Sequence, residues 1–129
     1  MKFLMFFRKV VFMRDHSAHA LLIAKKMGSF TLKYFNNSYI DIEQKQDGTP
    51  VTLADRGAEE LCRKLISERF PDDSIVGEEL EDKVGSSGWQ WIVDPIDGTK
   101  SFIHGVPFYS NLIGVQKMNE EGVAEPVIG

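Results

Sequence analysis

The chain has 129 residues, of which 43% are hydrophobic, and nineteen acidic residues against fifteen basic ones give it a formal net charge of −4. That length and hydrophobic share fit a single globular domain. The acidic balance, without any basic run, argues against nucleic acid as a partner. The single cysteine, Cys62, excludes an internal disulfide and indicates a buried structural thiol in a reducing, cytoplasmic compartment.

The amino-terminal segment is apolar but interrupted. Arg8 and Lys9 divide the apolar residues of 1–13 into two short runs. Neither run is long enough to span a bilayer, and no small-residue cleavage site for secretion follows them. We therefore predict an extension over residues 1–14, a domain over residues 15–129, and no membrane partner.

Two segments have the spacing of amphipathic helices. The first covers residues 15–35, and its predicted apolar face consists of Leu21, Ala24, Gly28, Thr31, Leu32 and Phe35. The second begins after Thr52, which together with Asp55 resembles a capping box, and it ends near Phe70, before Pro71. Its predicted apolar stripe consists of Ala54, Ala58, Leu61, Cys62, Leu65 and Ile66.

The remaining elements are predicted to be strands. Residues 38–52 alternate apolar and polar side chains around a turn dipeptide, Asp47-Gly48, and are expected to form a hairpin or loop. Short buried strands are predicted over 74–77 and 89–94, and acidic residues follow each of them directly. Two more strands, 108–118 and 124–129, flank a turn at 119–122, and the second stops inside an apolar run. We expect the chain to be the front part of a longer protein.

The stretch after the fourth predicted strand combines residues that suit a metal site. Pro95 has a fixed φ and Gly98 permits unusual backbone angles, so the turn they form brings the carboxylates of Asp94 and Asp97 together. The Ile96 carbonyl lies between them in sequence. Carboxylate and carbonyl oxygens are hard ligands, which suit Mg²⁺ better than zinc. The carboxyl ends of strands in an α/β sheet are also where such folds bind ligands.

The residues on either side extend this site. Thr99 is predicted to open a short helix, whose first backbone N–H groups, near Gly98 and Thr99, would form a phosphate cradle. Glu78 follows the strand 74–77 and would supply a further carboxylate. The alternative is that Asp97-Gly98 is a surface turn and Thr99 an ordinary helix cap.

Other polar and aromatic residues are predicted to have ordinary structural roles. His16, His19 and His104 show no metal spacing and are predicted to have surface or capping roles. Trp89 and Trp91 are expected to pack beneath their strand. A solvated acidic face is predicted for Glu79, Glu81 and Asp82. Lys45 is equally consistent with an exposed loop position and with a position facing the site.

Three motifs in order carry a family resemblance: "KQDGTPVTLADRGAEE", "VGEE" and "WIVDPIDGTKSF". From about residue 15 to the end, the chain resembles the inositol-monophosphatase-like family of Mg²⁺-dependent phosphatases. The resemblance implies an α/β (α+β) fold of the inositol monophosphatase and fructose-1,6-bisphosphatase type. In that layered sandwich, helices flank a mainly antiparallel sheet, and homodimers are common.

The resemblance also implies roles for the site residues. Glu78, Asp94 and the Ile96 carbonyl would bind a first Mg²⁺, and Asp94 together with Asp97 would bind a second. Glu78 would thereby belong to the catalytic set as well.

The remaining implied roles concern water and phosphate. Thr99, oriented by Asp55, would position the nucleophilic water, and the backbone amides of Gly98 and Thr99 would hold phosphate oxygens. Asp55 could also simply favour the helix dipole from its first turn, and both roles can coexist.

Within the family, "DGTKSFIHGVP" resembles the histidinol-phosphate phosphatase branch, because inositol phosphatases tend to carry Thr-Asn after the Gly-Thr. The expected reaction is therefore hydrolysis of histidinol phosphate, as in histidine biosynthesis. The alternatives are an inositol monophosphatase and a truncated, non-catalytic paralogue that binds metal. The family's Trp-Asp-x-x-Ala-Gly-type motif, whose aspartate completes the second metal site, is not in this chain, so we expect these 129 residues alone to be inactive.

Overall fold

The computed structural model describes residues 2–36, 42–46 and 50–129, with side chains for 15–36, 42–46 and 52–129. In chain order the elements are α1 (Lys2–Leu32), β1 (Ile42–Gln44), β2 (Pro50–Thr52), α2 (Leu53–Arg69), β3 (Ser74–Gly77), β4 (Trp89–Asp97), α3 (Thr99–Ile103), β5 (Ser110–Met118) and β6 (Ala124–Ile128). None of the described helices combines the length and the apolarity that a bilayer crossing requires.

The main sheet has four strands in the order β3-β4-β5-β6. Strands β3 and β4 are parallel, with Gly77 opposite Val93, whereas β5 and β6 are antiparallel to their neighbours. The mainly antiparallel sheet that the resemblance implies is confirmed, with one parallel pair. Because parallel strands end at the same edge, the acidic residues that follow β3 and those at the end of β4 are brought side by side.

Of the hairpin or loop expected over residues 38–52, the described part forms a hairpin. Strands β1 and β2 pair antiparallel, with Glu43 opposite Val51. The turn dipeptide Asp47-Gly48 lies outside the described residues.

Helix α2 follows its sequence signals closely. Asp55 N–H donates to Thr52 Oγ1 at 3.2 Å, and Thr52 N–H donates to Asp55 Oδ2 at 2.9 Å, so the predicted capping box is present. The helix ends at Arg69, one residue before its C-cap. Its most deeply buried apolar residues belong to the predicted stripe: Ala54, Ala58, Cys62 and Ile66.

Helix α1 differs from its prediction in length and in the face that it buries. It spans 31 residues and ends at Leu32, so the predicted boundary between residues 14 and 15 falls inside a helix. The predicted apolar face is wrong for Leu21 and Leu32, which are 59% and 63% exposed. The face that packs is rotated and includes two polar side chains: His16, Ala20, Ile23, Met27 and Thr31. Tertiary packing therefore selected a face with small and polar residues over the more obvious leucines.

The core lies between the two long helices and one face of the sheet. Trp89, Trp91 and Val93 point from β4 into it, while Ile92, which alternates with them, is 42% exposed on the other face. Burial of both tryptophans beneath their strand confirms the prediction for them. Cys62 is buried as predicted, its Sγ lies 3.1 Å from Met27 Sδ, and burial, with Glu59 nearby, raises the pKa of its thiol to about 12.

His16 lies at the centre of this core, so its predicted surface or capping role is wrong. Its ring is 1% exposed and stacks between Phe70 and Trp89, with centroids 4.1 and 4.2 Å away. Its Nε2 lies 3.0 Å from Asp73 Oδ2, which also accepts a hydrogen bond from Trp91 Nε1 at 2.8 Å. This network of polar groups joins α1, the loop before β3, and β4.

The Asp73 network predicts a loss of stability in acid. Burial raises the pKa of Asp73, but the hydrogen bonds from His16, Ser87 and Trp91 outweigh that effect and hold the pKa below its usual value. A carboxyl with a lowered folded-state pKa stabilises the fold fully above its unfolded pKa of about 3.9, and this contribution disappears as the pH falls through the folded value. Melting temperatures from about pH 7 to about pH 3 should therefore fall less steeply for Asp73→Asn than for the wild type. Asp72→Asn, which alters the exposed neighbour, should follow the wild type, and an equal slope for Asp73→Asn would contradict the assignment.

Candidate functional site

The acidic end of β4 is a strand with an irregularity. The prediction ended the strand at Asp94, whereas β4 continues through Asp97. Asp94 pairs with Leu112 and Asp97 pairs with Ser110, so three steps along β4 match two along β5. The extra residue is a β-bulge, which kinks the strand and redirects its side chains. This bulge replaces the simple turn that the sequence predicted, and it still places both carboxylates at the sheet edge.

Gly98 joins the bulge to helix α3. Its φ of +86° lies in the left-handed region, and an added Cβ would come 2.9 Å from the Phe108 carbonyl oxygen. A glycine is therefore required at this point for both backbone angle and space. The short helix predicted to open at Thr99 is confirmed, and the fully buried ring of Phe102 anchors it.

Thr99 and Asp55 are brought together from opposite parts of the chain. The Thr99 hydroxyl lies 3.0 Å from the Ile96 carbonyl oxygen and 3.4 Å from Asp55 Oδ1, and it can donate its one proton to either. Asp55 is 1% exposed, and burial raises the pKa of its carboxyl against the opposing effect of the Thr52 hydrogen bonds. One carboxylate thus caps α2 and contacts Thr99 at the same time.

Asp94 has a buried carboxylate oxygen whose hydrogen-bonding capacity is not used within the described part of the chain. Its Oδ1 is buried and has no hydrogen-bond partner among the described residues. Burial, the charge and hydrogen bond of Glu78, and the charge of Asp97 together raise the pKa of Asp94 to about 7. Buried carboxylate oxygens are almost always paired. A cation between these acidic side chains would both pair Oδ1 and remove the repulsion.

Lys45 provides a cation on the other side of the acidic residues. Its Nζ lies 2.9 Å from Glu78 Oε1 and 2.7 Å from Glu79 Oε1. Of the two alternatives for Lys45, the structure therefore supports the one in which it faces the site. Glu79 has only 3% of its side chain exposed, and burial raises its pKa, so its predicted place in a solvated face is wrong. The hairpin that carries Lys45 covers it, which the sequence did not indicate.

The rest of that acidic segment is as predicted. Glu81 and Asp82 are exposed. The two other histidines differ: His104 has the predicted capping role, whereas His19 packs between α1 and α2, so its predicted surface or capping role is wrong. His19 Nε2 lies 2.8 Å from the Leu65 carbonyl oxygen, and His104 Nδ1 lies 2.7 Å from the Lys100 carbonyl oxygen at the end of α3.

Glu59 was not identified as a site residue from the sequence, yet its carboxylate bonds the acidic turn that follows β3. Glu59 is fully buried on α2, where its side chain accepts hydrogen bonds from Arg63 and from the backbone of Glu79. The signal that could have revealed it is its position, one helical turn after Asp55 and next to the buried Ala58.

The residues proposed as metal ligands suit a hard divalent cation in their chemistry. Glu78, Asp94 and Asp97 offer carboxylates at one sheet edge, and Ile96 adds a carbonyl oxygen. Within residues 2–36, 42–46 and 50–129, however, no three His, Cys, Asp or Glu side chains lie close enough together to hold a metal ion as they stand. Glu78 is half exposed and contacts both Lys45 and Asp94.

The family relationship is settled by a match to the model of the inositol monophosphatase family, which covers residues 13–129. The chain belongs to the inositol monophosphatase family. Both the family resemblance and the fold type expected from the sequence are confirmed.

Individual members of the inositol monophosphatase family give the scale of the similarity. A histidinol-phosphatase from Chlorobaculum parvum is 52% identical over 97 residues, which are 75% of this chain and 38% of the relative. Inositol monophosphatase 1 from Sus scrofa is 33% identical over 111 residues, which are 81% of this chain and 40% of the relative. The crystal structure of the extragenic suppressor protein suhB from Bartonella henselae superposes with a TM-score of 0.77 at 28% identity, over 85% of this chain and 42% of that one. The chain thus spans less than half the length of each of these three proteins.

Proposed function

We propose that this chain forms part of a divalent-metal-dependent phosphatase that hydrolyses histidinol phosphate to histidinol and phosphate. The observation that carries the proposal is the buried, unpartnered Asp94 Oδ1, which lies among Glu78 and Asp97 on the strand that leads into Thr99, the first residue of α3. The substrate rests on similarity, since a relative named histidinol-phosphatase is 52% identical and one named inositol monophosphatase is 33% identical.

The proposed cofactor is Mg²⁺. Glu78, Asp94 and the Ile96 carbonyl would hold one ion, and Asp94 with Asp97 would hold a second. When bound, such ions neutralise charge on the phosphate and lower the pKa of a coordinated water. Phosphate monoesters hydrolyse very slowly without a catalyst, and enzymes accelerate the reaction by up to about 10²¹-fold. A lone general base contributes only about 10²–10⁴-fold, so metal ions would have to supply a large share of the acceleration.

The chain's own residues would bind and orient the reactants. With its proton donated to Asp55 or to the Ile96 carbonyl, the Thr99 hydroxyl has lone pairs that can accept a hydrogen bond from the attacking water. The first N–H groups of a helix have no acceptor within it, so those of Gly98 and Thr99 can donate to phosphate oxygens. The water oxygen forms a bond to phosphorus and gives up a proton, the ester P–O bond breaks, and the released alkoxide takes up a proton, so that the alcohol and inorganic phosphate are formed.

Two alternatives remain distinct from this proposal. An inositol monophosphatase would use the same residues on a different alcohol. A non-catalytic paralogue would bind metal without turnover. A homodimer, a cytoplasmic location, and the absence of nucleic-acid and membrane partners stay predictions.

The proposal is tested by comparing two substrates side by side. We expect a higher kcat/KM for histidinol phosphate than for inositol 1-phosphate when the whole protein is assayed with saturating Mg²⁺. A preference for inositol 1-phosphate would favour the first alternative, and failure to hydrolyse either would favour the second. The 129-residue chain assayed alone is expected to show no turnover.

A further inference from the structure

The acidic turn that follows β3 is held from within by helix α2. Glu59 has no exposed surface, and its Oε2 accepts a hydrogen bond from the backbone N–H of Glu79 at 2.7 Å. This N–H belongs to the peptide that links Glu78 to Glu79. The bond therefore fixes the orientation of the backbone from which the Glu78 side chain projects.

Arg63 completes the support on the other side of Glu59. Its Nε donates to Glu59 Oε1 at 2.8 Å, and its Nη2 donates to the Leu80 carbonyl oxygen at 3.1 Å. Both ends of the turn are thus bonded to one ion pair on α2. Gly77 leaves the room that this arrangement needs, because an added Cβ would lie 1.9 Å from Glu59 Oε1.

The cost of burying this ion pair indicates a role other than stability. Removing charged groups from water is costly, and an apolar pair of similar volume is often as stable as a buried ion pair or more so. An apolar pair could not supply the two directional hydrogen bonds, one donated by the Glu79 N–H to Glu59 and one donated by Arg63 to the Leu80 carbonyl oxygen.

Glu59 also shares its helix face with the other half of the site. Asp55 precedes it by one turn and contacts Thr99, while Glu59 contacts the turn that carries Glu78. One rigid helix therefore sets the distance between the water-binding hydroxyl and the proposed metal-binding carboxylate.

We propose that Glu59 is a positioning residue for the metal site, which orients Glu78 through the Glu79 backbone N–H with the help of Arg63. This inference rests on the proposed metal-dependent function. Outer partners of metal ligands typically change metal affinity by about 10–100-fold when removed. We expect a loss in that range for Glu59→Gln, because its amide can accept only one of the two hydrogen bonds and presents a donor to the other.

The test measures Mn²⁺ binding to the 129-residue chain. The amount of free Mn²⁺ is determined from its electron paramagnetic resonance signal. Glu60→Gln is the matched control, because it removes the same charge from the next, exposed position of α2. All measurements are made well below the melting temperature of each variant, so that binding by the folded chain is compared. A lower melting temperature with unchanged Mn²⁺ affinity would show that Glu59 is merely structural and would overturn the proposal.

Arg63→Lys keeps the test decisive if Glu59→Gln does not fold. Lysine retains the positive charge next to Glu59 but cannot bond both Glu59 and the Leu80 carbonyl in the way that the guanidinium does. We expect a smaller loss of Mn²⁺ affinity in the same direction, and affinity equal to that of Glu60→Gln would overturn the proposal.

Asp94→Asn separates this inference from the proposed function. If Mn²⁺ binding is lost in Asp94→Asn but kept in Glu59→Gln and Arg63→Lys, the metal site stands and the positioning role fails. If the wild-type chain binds no Mn²⁺, or if Asp94→Asn binds it equally well, the proposed metal site itself fails, and the role of Glu59 fails with it.

Discussion

Asp94→Asn is expected to lower kcat/KM for histidinol phosphate by at least about a thousandfold in the whole protein. Asp94 is the carboxylate proposed to contact both metal ions, and asparagine keeps its shape while removing its charge. Metal ions contribute several kcal/mol of charge stabilisation, and about 4 kcal/mol corresponds to three factors of ten. The measurement is phosphate release with saturating Mg²⁺, with the exposed Asp82→Asn as a control of unchanged activity. A variant within about tenfold of the wild type would show that the metal assignment is wrong.

Loss of the fold would not explain this result. The pKa of Asp94 is raised to about 7 in the folded chain, against about 4 in the unfolded chain. Ionisation of Asp94 therefore destabilises the fold by an amount that grows as the pH rises from about 4 to about 7. Without metal, Asp94→Asn removes that cost. We therefore expect the variant to melt at the same temperature as the wild type or higher above about pH 7.

Thr99→Val is expected to lower kcat by about a hundredfold or more while leaving Mn²⁺ affinity unchanged. Valine keeps the size of threonine but removes the hydroxyl that lies 3.0 Å from the Ile96 carbonyl and 3.4 Å from Asp55. A positioned group that orients or transfers a proton contributes about 10²–10⁴-fold. Steady-state kinetics together with Mn²⁺ binding would separate the loss of water orientation from the loss of metal.

Thr99→Ser is the matched control, because it retains the hydroxyl and loses only the methyl group. Its kcat should stay within about tenfold of the wild type. Equal losses in the valine and serine variants would show that Thr99 acts by packing at the start of α3 and not through its oxygen.

Local signals in the sequence were sufficient for much of the fold and for the location of the site. The capping box of Thr52 and Asp55, the β-branched strands, and the left-handed Gly98 all depend on a few neighbouring residues. The sequence also indicated that acidic residues directly follow both strands, and the parallel pairing of β3 with β4 places them at one edge of the sheet.

The features that the sequence did not indicate depend on contacts between distant segments. His16 is buried because Asp73, fifty-seven residues later, satisfies it between two aromatic rings. Glu79 is buried because Lys45 on the hairpin covers it. The hydrogen bond from Glu79 to Glu59 likewise spans two elements. A sequence pattern predicts that a polar residue lies on the surface, because most polar residues do. Such a residue is buried only where a distant segment supplies a hydrogen-bond partner, and the sequence does not identify that partner.

The central claim, that the unpartnered Asp94 oxygen belongs to a divalent-metal site, is tested most directly by locating the ion. Crystals of the chain grown with Mn²⁺ would be measured at the manganese absorption edge. We predict an anomalous peak within about 2.5 Å of Asp94 Oδ1, with Glu78 or Asp97 as a second ligand. Mn²⁺ bound elsewhere on the chain while Asp94 Oδ1 has no metal neighbour would contradict the account.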